Sequence, residues 1–89
     1  MNLYIVHLGY YDADIGIYEL HTNMHVVAQN VQAAKEAIKN NPIYQSKKMH
    51  IDGIEELLTV DGYTINVVKN DEALVENKKF DYNMSKMLS

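Results

Sequence analysis

The stretch ELHTNMHVVAQNVQAAKEAIKN, residues 19–40, changes its period halfway along, and that change decides the fold. From Glu19 to Gln29 the side chains alternate. Leu20, Met24, Val26 and Ala28 sit at even positions, while Glu19, His21, Asn23 and His25 sit at odd ones. A repeat of two belongs to a strand with one face buried. Asn30 then stands where a helix N-cap should, and Val31, Ala34, Ala37 and Ile38 follow at helical spacing. Gln32, Lys35, Glu36 and Lys39 turn outward, and Lys39 lies near the negative end of the helix dipole. Pro42 moves Asn41 out of the helical region, so the helix stops near Asn40.

Upstream, LYIVHLG (3–9) is apolar on both parities, which marks a central strand ended by Gly9. YYDADIG (10–16) reads as a solvated loop. The short connection makes the first two strands an antiparallel hairpin. Downstream, KKMHIDG (47–53) opens a third strand, with Met49 and Ile51 on one side and His50 and Asp52 on the other. Gly53 marks a bulge, after which Ile54, Leu58 and Val60 carry the apolar parity. A turn at Asp52–Gly53 followed by a short helical IEELL is the competing reading. In VDGYTINVV (60–68), Asp61–Gly62 suits a type I′ turn, and Tyr63, Ile65 and Val67 line a fourth strand.

The expected architecture is α+β: a β-β-α-β-β two-layer sandwich, with a mainly antiparallel four-stranded sheet and one helix on one face. It forms a single domain over 1–70. A C-terminal tail over 71–89 is partly helical or flexible, with Phe80, Met84, Met87 and Leu88 at helix-compatible spacing. One helix covers one side of such a sheet, so the other side meets water, a ligand or another subunit.

Composition narrows the function. A chain of 89 residues buries roughly 60–65% of its unfolded surface, which allows one core with little margin. The net charge of −4 and the absence of Arg leave no basic field for nucleic acid. With no Cys, disulfides, thiolate nucleophiles and sulfur-ligated zinc are excluded. The N-terminal apolar run is too short for a signal peptide or membrane span, so a cytoplasmic location is the default expectation.

The polar face gathers the chemistry-bearing residues. His7, Glu19, His21, His50 and Asp52 share it, and His7, His21 and His50 are the candidate metal ligands. If Gly9 pairs near Glu19, His7 lies opposite His21. His21 and His25 are about 13 Å apart along a strand, too far to share one ion. The alternating Asp12 and Asp14 echo a calcium loop but lack the closing Glu. Ser46, Ser85 and Ser89 lack a nucleophile-elbow context.

LYIVHLG, IYELHTNMHVVAQNVQAAK (17–35) and MHIDGIEELLTVDGYTINVV (49–68) together resemble the uncharacterised bacterial DUF1543 domain family. That resemblance implies the fold and no established activity. Tyr10 stands where the family pattern has a second glycine, Thr22 where it tends to have Asp, and Gly53 where Ser is usual. The aromatic segment expected after the helix is reduced to NPIYQ. Members often resemble two such domains in one chain, so a single copy implies a homodimer.

The favoured expectation is a non-enzymatic binding or assembly module acting as a homodimer, with a small-molecule or protein ligand. It expects no cofactor, no nucleic acid and no membrane. The alternative is a small metal-dependent or acid–base site on the His-rich face, holding a divalent metal.

Overall fold

Apolar residues on both parities place β1 (Asn2–Tyr10) in the middle of an antiparallel sheet, between β2 (Leu20–Ala28) and β3 (His50–Glu56). The computed structural model describes residues 1–72 and 75–88. Its elements continue with α1 (Val31–Lys39), α2 (Pro42–Ser46), β4 (Thr59–Val60), β5 (Tyr63–Thr64) and α3 (Tyr82–Leu88).

The even residues of β1 make the core. Val6 and Leu8 are fully buried with Ile38 and Met49, and Tyr10, Met24, Val26, Tyr44, Ile51 and Ile54 pack around them. Tyr4 joins Ala28 and Ala34 next to that group. Ala34 is fully buried, and its small side chain lets α1 lie close on the sheet. At the start of α1 the Asn30 side chain accepts the Ala33 N–H at 2.8 Å, as its cap position predicts.

The bulge falls in β3. His7 pairs with Gly53 and Leu8 with Ile51, leaving Asp52 as the extra residue. That insertion returns Ile54 to the core side while His50 and Asp52 stay on the other side.

Several expectations are corrected. Gly9 does not end β1; the strand continues through Tyr10. Asn41 and Pro42 do more than stop α1. The Asn41 side chain accepts the Ile43 N–H at 2.8 Å, and Pro42 occupies the first turn of α2, where its missing N–H costs nothing. Among the described residues the main sheet has three strands and not four, because β4 and β5 pair with each other. After Leu57 donates to Leu3 O at 2.9 Å, the chain leaves β1. The Asp61–Gly62 turn, with both residues at positive φ (53° and 81°), folds β5 back onto β4 rather than onto β3. Of the tail expected over 71–89, residues 73, 74 and 89 lie outside the described residues. The helical spacing there is realised as α3, with Phe80 before its first turn. Among the described residues, no helix is long and apolar enough to cross a membrane.

Ile38→Ala removes the helix side chain that sits on Val6 and Leu8. Chemical denaturation of that variant is expected to show a loss of about 2–4 kcal/mol. Asn30→Ala should cost about 1 kcal/mol by the same measurement.

Candidate functional site

The helix α1 packs on the even face of β1 and, among the described residues, leaves His7 of the odd face exposed. The helix packs on Val6 and Leu8, so Leu3, Ile5, His7 and Gly9 face the other way, beside His21, Asn23, His25 and Val27 of β2. The register decides which of these meet. Gly9 pairs with His21 on one side and with His50 on the other. Two imidazoles therefore flank a residue that has no side chain. Across the central strand their Cα atoms are about 10 Å apart, at two strand spacings.

The gap over Gly9 is filled from both sides. Glu19, at the entrance to β2, reaches over β1 to His50, and its Oε1 lies 2.6 Å from His50 Nε2. Asp52 Oδ1 approaches the same nitrogen at 3.2 Å, and its Oδ2 lies 3.3 Å from His21 Nδ1. His21 Nε2 stands 3.9 Å from Glu19 Oε2. Nε2 of His50 meets carboxylate oxygens from two residues, and a hydrogen bond to either uses a proton on that nitrogen. A Cβ built on Gly9 would collide with Glu19 Oε1, His50 Nε2 and Asp52 Oδ2. The cluster occupies the space that any other residue at position 9 would take.

The expected facing of His7 and His21 is corrected. His7 pairs with Asn23 and hydrogen-bonds its side chain through Nδ1 at 2.9 Å. His21 lies one diagonal away, and the two rings stack with centroids 5.0 Å apart and planes 4° off parallel. His25 pairs with Ile5, further along the sheet.

All five residues singled out in the sequence thus share one face. They form two donor groups, Glu19–His50–Asp52 and His7–His21–Asp52. Within each, one potential ligand atom per residue lies within 4.8 Å of the others. Asp52 belongs to both, and its place follows from the bulge. The side chains of Glu19, His21, His50 and Asp52 keep 31–48% of their surface exposed, so water reaches the cluster. A hollow lined by Ile5, His7, Asn23, Gly53, Ile54 and Glu55 lies next along the sheet.

Two features went unread in the sequence. One is Gly9, which reads as a strand end in the sequence. Its signal was available, since a glycine inside an apolar strand often marks a close approach. The other is Asn23 as the partner of His7, which needs the register. Gly9→Ala should keep the sheet, because the colliding atoms are the far ends of movable side chains. Its stability is expected to stay within about 1 kcal/mol of wild type. The imidazole signals of His21 and His50 should nevertheless move in heteronuclear NMR spectra, and those of His25 should not.

No curated protein and no solved structure matches the chain. The pattern of the family described as Domain of Unknown Function (DUF1543) matches residues 16–67, a span holding Glu19, His21, His50 and Asp52. That match covers more than half of the sequence, and the chain belongs to the DUF1543 family.

Proposed function

We propose that the chain is a binding and assembly module rather than an enzyme, and that it works as a homodimer. Its working surface is the helix-free face of the sheet. The observation that carries this reading is the convergence of Glu19, His21, His50 and Asp52 over Gly9 on that face. The face is open and wet, which suits recognition better than chemistry in a water-excluded pocket.

Two unfinished elements support the dimer. β2 is a nine-residue edge strand without bulge, Lys, Glu, Asp or Pro. Natural sheets guard exposed edges with such devices, and β3, the opposite edge, has a bulge and two Glu. The β4–β5 hairpin has two residues per strand and leaves Leu58 and Tyr63 exposed at 60% and 75%. A lone two-stranded hairpin is marginal in water. We place the hairpin of each protomer on the β2 edge of the other, a reciprocal contact that closes with two-fold symmetry.

A second reading, an acid–base site, is favoured by one observation. The 2.6 Å contact of Glu19 with His50 is a carboxylate–imidazole pair of the kind that moves protons.

Light scattering at tens of micromolar chain should give twice the chain mass. The double variant His25→Lys/Val27→Lys, which charges the β2 edge, and Tyr63→Lys in the hairpin should each give the monomer mass with unchanged far-UV circular dichroism. A wild-type protein that stays monomeric at ten times that concentration contradicts the dimer.

A further inference from the structure

The geometry points to a divalent transition-metal site over Gly9, with Glu19, His50 and Asp52 as ligands and His21 holding the second oxygen of Asp52. This deepens the reading of the helix-free face as the working surface and rests on it.

The first reason is charge. Glu19 and Asp52 bring two carboxylates onto a single nitrogen of His50, at 2.6 and 3.2 Å. Two like charges at that separation call for a positive charge between them. A divalent cation supplies it. When the cation binds, the proton on His50 Nε2 leaves to solvent and the nitrogen lone pair takes its place as a ligand.

The second reason is space. Ligands from β2 and β3 meet only because β1 has no side chain at Gly9, and that residue is itself buried beneath them. The opening of the site is thus built into the central strand. A surface cluster gathered by chance on three strands has no need of such a gap.

The third reason is spacing. In a tetrahedral zinc site with bonds near 2.05 Å, neighbouring ligand atoms are about 3.3 Å apart. Asp52 Oδ1 to His50 Nε2 is 3.2 Å, already at that edge length, and one ligand atom each of Glu19, His50 and Asp52 lies within 4.8 Å of the others. Glu19 Oε1, at 2.6 Å from His50, moves outward by well under 1 Å, and its exposed side chain is free to do so.

Donor type selects the metal. An imidazole beside two carboxylates and no thiolate suits Zn²⁺, Co²⁺ or Ni²⁺, whereas Ca²⁺ and Mg²⁺ prefer oxygen alone. His7 is a positioning residue here. Its ring stacks on His21 and is itself held by Asn23, which sets the plane of the His21 ring.

Co²⁺ is the probe, because its visible absorption reports coordination number. Titration of the intact chain should reach one cobalt per chain, with the strong bands of four- or five-coordinate metal, and excess Mg²⁺ should not displace it. Gly9→Ala and His50→Gln should each weaken binding by about tenfold or more, while His25→Gln, further along the same face, stays within about twofold. Equal weakening by His25→Gln and His50→Gln shows unspecific histidine binding and overturns the site. Light scattering on the same samples separates the two readings. A wild-type dimer that takes up no cobalt overturns the metal site alone. A monomeric wild type that binds one cobalt per chain, lost in His50→Gln, upholds the site and overturns the dimer.

Discussion

The antiparallel pairing of β1 with a strand on each side is the constraint on which the rest of the molecule depends. It buries Val6 and Leu8 under α1 and leaves the opposite parity of the same strand open. It also places Gly9 between His21 and His50. A shift of one residue in either register would exchange the faces and bury the imidazoles. The hydrophobic demand of the core and the placement of the polar cluster are therefore one requirement, met by one strand.

Much of this was legible in the residues. The two-sided apolar run of β1 announced a central strand, and the alternation from Leu20 to Ala28 sorted the faces of β2 correctly. Asn30 marked the start of α1, Asp61–Gly62 marked the hairpin turn, and Gly53 marked the bulge. The exact register of β1 against β2 was not legible. Anchoring Gly9 near Glu19 misses the observed partner, His21, by two residues. A two-residue slip leaves every side chain on its proper face, so hydrophobic patterning cannot detect it. The connection from Tyr11 to Glu19 is short enough for a hairpin but longer than the tight turns whose geometry fixes register.

The fate of the hairpin was hidden for a related reason. Thr59–Val60 and Tyr63–Thr64 show the same local pattern whether they extend the main sheet or stand apart. Only the departure of the chain from β1 beyond Leu57 decides between the two. As for the cluster, the sequence supplied its members but not the reason they meet. That reason is an absence, the missing side chain of Gly9, which lets Glu19 reach across a whole strand to His50. Composition and spacing draw attention to what a residue has, and here the decisive property is what one residue lacks.

Backbone nuclear Overhauser effects from Gly9 test the central claim most directly. Cross-strand Hα–Hα or amide–amide effects from Gly9 to both His21 and His50 are predicted, together with effects from His7 to Asn23. Effects linking His7 to His21 as directly opposed residues, or Gly9 to Glu19, would contradict the register and remove the gap in which the polar cluster sits.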